Sequence, residues 1–263
     1  MSQKTRCVVA SNVGKRYLRV HEKPMLLREA AMLFAGRRNR VDDLWAVRHV
    51  GFELVQGETL GIIGANGSGK STLLALIAGT CFPTEGTVST RGRIATLMAL
   101  GAGFHPDMTG EENIVASAAL IGIPVDEART LTKKIIEFAE LDSAIDTPVR
   151  HYSSGMNGRL GFSVAINVSP DILVVDEIFA VGDIAFQAKC IAEVKRLQAR
   201  GITMVFASQS PQFLADFCTR ALWLEKGEVK MIGSAAEVGE AYHIAMTGEG
   251  MMDRLASMLA PRH

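Results

Sequence analysis

Two short stretches carry the residue types that chemistry on a phosphoanhydride needs. The first is Gly64-Ala65-Asn66-Gly67-Ser68-Gly69-Lys70-Ser71, which fits the pattern G-x-x-x-x-G-K-[ST]. Gly67 and Gly69 have no Cβ, so the chain can curl there and aim backbone N–H groups inward. Those groups, with the N-terminus of a following helix, attract phosphate. Lys70 supplies a point charge for the β- and γ-phosphates, and Ser71 a hydroxyl able to ligate Mg2+. The nucleotide-binding set expected here is Gly64, Ala65, Asn66, Gly67, Ser68, Gly69, Lys70, Ser71 and Thr72. The second stretch is Asp171-Ile172-Leu173-Val174-Val175-Asp176-Glu177. Four apolar residues leading into two carboxylates predict a buried parallel strand that ends at an active site. Asp176 is placed to hold Mg2+, directly or through water, opposite Ser71, and Glu177 to act as general base on an attacking water.

The elements around these stretches suit the task. Glu58 to Ile63 reads as a short buried strand, and Ser71 to Ala78 as a helix with Gly79 as its stop. Upstream, Cys7 to Val13 reads as a first strand, followed by a basic turn, Gly14-Lys15-Arg16, and then Tyr17. That aromatic could stack on a base or simply pack at an edge. Pro24 to Phe34 has a helical pattern, with Arg37, Arg38 and Arg40 beyond it. This is either a solvated linker or a helix packing on a partner, its arginines near phosphate headgroups. Trp45 to Leu54 is a strand, as are Thr87 to Ser89 and Arg93 to Leu100. From Thr109 the period turns helical: about Gly110 to Gly122, Asp126 to Glu140 and Ser154 to Asn167. This block lies between strand-rich segments, so it is expected as an inserted helical subdomain. Helix 184–199, strand 202–207, helix 211–217, a hairpin turning at Lys226-Gly227 and a last helix capped by Ser234 follow.

Composition narrows the function classes. The 263 residues are 48% hydrophobic, enough for a substantial core, and the formal net charge is zero. A general nucleic-acid binder is normally basic, so no nucleic-acid partner is expected. Cys7, Cys81, Cys190 and Cys218 are far apart and form no C-x-x-C, which fits reduced thiols. No apolar run approaches the ~18 residues of a spanning helix. The longest, Ile114 to Val125, is interrupted by Pro124, so no direct membrane span is expected.

One further block specifies the class. Tyr152-Ser153-Ser154-Gly155-Met156 precedes Asp176, offering a serine hydroxyl and a glycine N–H at a helix N-terminus. It resembles the L-S-G-G-Q signature loop of ATP-binding-cassette ATPases, keeping Ser153 and Gly155 while Tyr152, Ser154 and Met156 depart. The chain resembles that family over about residues 7 to 245. It is most similar to the ATPase subunits of bacterial exporters of O-antigen, capsular polysaccharide or teichoic acid. The insertion Val20 to Leu44, the run Leu100-Gly101-Ala102-Gly103-Phe104-His105-Pro106 and the Tyr-Ser-Ser-Gly-Met signature carry that likeness.

The resemblance implies an α/β fold: a P-loop NTPase core with a mostly parallel sheet, an N-terminal antiparallel β subdomain and an inserted α-helical subdomain. It implies an ATP-binding domain over 1–246, with a gate-helix-like insertion at about 20–44, a helical subdomain at about 105–165 and a short tail, 247–263. It further implies a homodimer with two ATP molecules between the chains, each held by one phosphate loop and by Ser153, Ser154 and Gly155 of the other. Two copies of a transmembrane permease are implied as partners, with the chain peripheral on the cytoplasmic face of the bacterial inner membrane. Tyr17 matches the adenine-stacking aromatic, and Ala180-Val181-Gly182-Asp183 the loop that crosses the dimer seam. Some relatives carry a C-terminal carbohydrate-binding domain, and a chain stopping at His263 is expected to lack one.

Two positions depart from the family pattern. Where a histidine usually contacts the γ-phosphate, Ser208 is followed by Gln209, which can hydrogen-bond but cannot carry a positive charge. Near Ala99 the usual glutamine is missing. The leading expectation is a transport ATPase with Lys70, Glu177 and Gln209 as catalytic residues. A hydrolysis-impaired, ATP-gated dimer and a soluble non-transport cassette are the alternatives, and a small-molecule kinase is the weakest.

Overall fold

The computed structural model describes residues 5–20, 41–98, 101, 103–176 and 182–247. The expected helix at 24–34, its arginines, Ala99, Glu177, Ala180-Val181 and the tail beyond 247 lie outside the described residues.

The chain runs β1 (Arg6–Val20), β2 (Val41–Val55), β3 (Thr59–Ile63), α1 (Lys70–Ile77), β4 (Glu85–Thr90), β5 (Ile94–Leu97), α2 (Gly110–Leu120) and α3 (Val125–Ala139). After a 3-10 turn at Val149–His151 come α4 (Ser154–Asn167), β6 (Ile172–Asp176), α5 (Ile184–Ala199), β7 (Thr203–Ser208), α6 (Pro211–Phe217), β8 (Arg220–Glu225), β9 (Glu228–Ser234) and α7 (Ala235–Thr247). Two sheets form. One is antiparallel, in the order β2-β1-β4. The other has six strands in the order β5-β6-β7-β3-β8-β9, parallel through β8 and closed by the antiparallel hairpin β8-β9. This is the α/β architecture expected, with the helical block α2–α4 inserted between β5 and β6.

Strands β3 and β7 are buried along their whole length, and β6 up to Val175. A strand covered on both faces must be apolar throughout, which is why these segments read as continuous runs. One face packs on α1 and the antiparallel sheet through Leu60, Ile62, Val174 and Val205, with Leu73, Leu74 and Ile77 between the layers. The other face carries Leu173, Val175, Met204 and Phe206 against α4, α5 and the rest of the helical block. Helix α1 is therefore sandwiched between two sheets, and its N-terminus cannot swing freely.

The strands β1 and β2 are longer than expected. Gly14-Lys15-Arg16 is no turn: Lys15 pairs with Val47 and Arg16 with Trp45, and the ladder runs on to Val20↔Val41. Register shifts between Ala10 and Arg16, with Asn12 at φ 48 and His49 at φ 54, break the two-residue alternation. A bulge moves later side chains to the other face, so the sequence period stops reporting the strand.

Candidate nucleotide site

Among the helices of the described residues, α1 and α3 begin without a capping side chain, and of these two α3 alone carries acidic residues, Asp126 and Glu127, in its first turn. At the heads of α2, α4, α5 and α6 a side chain (Thr109, Ser153, Asp183 and Ser210) accepts a hydrogen bond from the first turn. The N-cap of α1 is Gly69, with no capping side chain and no acidic residue in the first turn. The first N–H groups of any helix lack intrahelical partners. Here no side chain of the helix itself satisfies them, and the positive end of the dipole faces the loop.

The loop is wedged in place by close backbone approach. Gly69 sits at φ 105, and a Cβ there would meet the Ala46 carbonyl of β2 at 2.3 Å. A Cβ on Gly64 would meet the Leu224 carbonyl of β8 at 2.3 Å. The Gly227 N–H donates to the Ser68 carbonyl at 2.9 Å, and the Arg48 N–H to the Gly227 carbonyl at 2.8 Å. So β2 and the β8-β9 turn clamp the loop from two sides. At Gly67, φ 76, an added Cβ would meet nothing within 4 Å. Lys70 is only 6% exposed, and its Nζ donates to the carbonyls of Gly64 at 2.8 Å and Ala65 at 3.1 Å. A buried ammonium curled along the loop, open space at Gly67 and a bare helix N-terminus together fit a polyphosphate. The hydroxyl of Ser71 at the exposed first turn is a hard oxygen donor of the kind Mg2+ prefers.

Sheet register brings the second stretch to the same edge. Asp176, the last residue of β6, pairs with Ala207, which pairs with Ile62 of β3, two residues before Gly64. Two strand spacings, about 10 Å, therefore separate the backbone at Asp176 from the strand that feeds the phosphate loop. Between them β7 ends at Ser208, paired with Ile63, and Gln209 follows. Lys70, Ser71, Asp176 and Gln209 thus converge at the carboxyl ends of neighbouring parallel strands. Tyr17, 44% exposed, joins them from β1: it pairs with Leu44, two residues from the Ala46 whose carbonyl abuts Gly69. The Lys15 ammonium lies 5.3 Å from the centre of the Tyr17 ring.

Ser153, Ser154 and Gly155 are not brought to this edge of their own chain. They head α4, which packs on β5 and the other helices of the inserted block, and β5 is three strands from β3. Ser153 caps its own helix, accepting from the Met156 N–H at 3.1 Å. The departure at Tyr152 has a structural reason. The ring is buried, its hydroxyl donates to the Ala144 carbonyl at 2.8 Å, and a Cβ on Gly110 would strike that oxygen at 2.4 Å. Burial, and secondarily the charge of Asp146, raises its pKa, so it stays a neutral donor anchoring the start of α4.

Sequence reasoning missed Ala46, Leu224 and Gly227 as the seat of the loop, and Tyr152 as the anchor of the signature. The glycine in Lys226-Gly227 signals a turn, φ 85, but nothing local says what the turn supports.

The chain is also similar to known proteins in sequence and in fold. Residues 47–180 match the family model described as ABC transporter. The chain is 46% identical over 219 residues to the O-antigen export system ATP-binding protein RfbB of Klebsiella pneumoniae, covering 83% of this chain and 87% of that one. It is 40% identical over 210 residues to the teichoic acids export ATP-binding protein TagH of Listeria monocytogenes, covering 80% of this chain and 62% of the relative. Among solved structures, a dimeric post-hydrolysis ATP-binding cassette bound to ADP and Pi superposes with a TM-score of 0.68 at 23% identity, over 87% of this chain and 98% of that one.

Proposed function

The chain belongs to the ABC transporter family, as an ATPase domain, and on that premise we propose that it powers export of a cell-surface polysaccharide of the O-antigen, capsule or teichoic-acid type. Two copies of the chain close on two ATP molecules, and two copies of a transmembrane permease are driven by the closure at the cytoplasmic face of the bacterial inner membrane. Among the described residues no helix is long and apolar enough to cross a membrane, which suits a peripheral subunit. The observation that carries the proposal is the convergence of a buried lysine, a bare helix N-terminus and a strand-end aspartate on one sheet edge. The likeness to O-antigen and teichoic acid export subunits supports the substrate class.

In this mechanism the loop N–H groups from Gly64 to Ser71 and the α1 dipole hold the β- and γ-phosphates. Lys70 neutralises charge on the oxygens that become more negative as the γ-phosphoryl leaves. Tyr17 stacks on the base. Glu177 takes a proton from the attacking water while the bond to the β,γ-bridging oxygen breaks. Gln209 orients that water as a hydrogen-bonding side chain. Ser71 and Asp176 would hold Mg2+, which supplies further charge neutralisation when bound. Ser153, Ser154 and Gly155 act on the nucleotide of the partner chain, completing the site and excluding water.

The test is phosphate release from Mg-ATP by the purified chain. Lys70→Ala is expected to lower kcat by about 100-fold, the scale of one lost charge-stabilising donor. Undiminished turnover would refute the role of Lys70. Co-purification with nucleic acid in place of a membrane protein would remove the transport assignment.

A further inference from the structure

Beside Tyr17, one lysine is held in place by main chain from a distant part of the sequence. The segment that follows α1 is strapped onto β1. The Thr84 N–H donates to the Gly14 carbonyl at 2.7 Å, the Arg16 N–H donates to Thr84 Oγ1 at 3.1 Å, and Glu85 of β4 pairs with Gly14. The strap brings the carbonyl of Phe82, two residues before Thr84, alongside β1. Lys15 Nζ donates to that carbonyl at 2.8 Å. The same ammonium lies over the Tyr17 ring, 5.3 Å from its centre. That separation is inside the roughly 6 Å over which a ring face attracts a cation.

A lysine stem gives up rotamer freedom when its head is fixed. Here the fixing bond comes from a backbone oxygen whose own position is set by a sheet ladder and two hydrogen bonds. The ammonium is therefore a fixed point against which a ring can settle. Tyr17 needs one, because at 44% exposed its ring is not held by core packing. Its ladder partner, Leu44, is 55% exposed and has no hydrogen-bonding side chain. A base laid against this pair is held by stacking, and stacking depends on the tilt of the Tyr17 ring.

We propose that Lys15 is a positioning residue for nucleotide binding: anchored on the Phe82 carbonyl, it holds the Tyr17 ring by one face at the tilt that leaves the other face to the base. The proposal deepens the reading of Tyr17 given above and rests on it. In this arrangement Lys15 touches no phosphate, so its effect on binding passes through the base alone.

Calorimetric titration of the full chain with ADP and with inorganic pyrophosphate tests this, since both probes use the phosphate loop and only ADP carries a base. Lys15→Met keeps an unbranched apolar stem and removes the charge. The expected result is ADP affinity lowered about three- to fivefold, the scale of one exposed cation–π contact, with pyrophosphate affinity unchanged. Thermal unfolding should place Lys15→Met within about 2 °C of the parent, as for a surface substitution. Lys15→Arg can keep both the carbonyl bond and the ring contact, and binds ADP within about twofold of the parent. Tyr17→Ala lowers ADP affinity about 10-fold, the scale of one base–aromatic stack, and in that background Lys15→Met has no further effect. Equal losses for ADP and pyrophosphate would show a charge acting on phosphate, and would overturn the proposal. Losses that multiply in the double variant would do the same. Lys15→Gln, a neutral donor, decides in the same way if Lys15→Met fails to fold. If Tyr17→Ala weakens ADP and Lys15→Met does not, the base-stacking reading stands and this proposal alone falls. If Tyr17→Ala binds ADP as the parent does, the reading of Tyr17 falls and takes the proposal with it.

Discussion

Replacing Gly69 by alanine separates the shape of the phosphate loop from its chemistry. The residue sits at φ 105, where an L-side chain costs about 1–2 kcal/mol. The new Cβ would lie 2.3 Å from the Ala46 carbonyl oxygen and 2.8 Å from Val47 Cγ1. Ala46 lies between Trp45 and Val47, which pair with Arg16 and Lys15, so its carbonyl can retreat only by disturbing the β1-β2 ladder. Overpacking of this kind adds about 1–3 kcal/mol. A central value of about 3 kcal/mol corresponds to a Tm lower by about 6–12 °C in a chain of this size. Gly67→Ala is the control. It too has positive φ, 76, but its Cβ meets nothing within 4 Å, so only the conformational cost of about 1 kcal/mol applies, or about 2–4 °C. Thermal unfolding followed by circular dichroism reads both. Equal Tm losses, or a Gly69→Ala protein within 2 °C of the parent, would refute the view that the loop is seated against β2.

Two further outcomes follow from the described contacts. The Glu140 carboxyl is held below its ordinary pKa, chiefly by the hydrogen bond from Lys189 and that residue's charge, with Arg159 adding to it. A lowered folded pKa means that the unfolded chain binds the proton first, so the stabilisation is complete above the ordinary glutamate value and fades as pH falls through the lower folded one. Glu140→Gln should therefore flatten the acid-side fall in Tm below that ordinary value and leave its slope near neutrality unchanged. Ser153→Ala removes the α4 cap, a loss of about 1 kcal/mol, or about 2–4 °C in Tm. On its proposed role at the partner's nucleotide, the same change should also weaken ATP-dependent dimerisation, measured by light scattering with and without ATP, while a dimer of unchanged affinity would assign Ser153 to capping alone.

Much of this protein was legible before any fold was known, because local spacing states local conformational demands. Glycines at 67 and 69 with lysine and serine after them announce a curled loop entering a helix, and Gly67 and Gly69 do sit at positive φ. Four apolar residues before Asp176 announce a strand buried on both faces, and Ile172 to Val175 are buried. Helices 154–167, 184–199 and 211–217 fall where the caps and periods place them. The opposite holds for the length of β1, whose bulges erase the alternation by which a strand is recognised.

Which residues face one another was decided by packing alone. Ala46 and Gly227 support a loop about 20 and 160 positions away in the chain, and neither type signals that duty locally. Tyr152 looks like a defect in a signature until its hydroxyl is found on the Ala144 carbonyl. Arg159 is one charge among many until α3, α4 and α5 meet around it. Residue types and spacing determine what each segment can bind and how it must bend. Only the register of parallel strands and the stacking of helices across them determine that Lys70, Asp176 and Gln209 share one edge, since those distances are set by buried area spread over the whole chain.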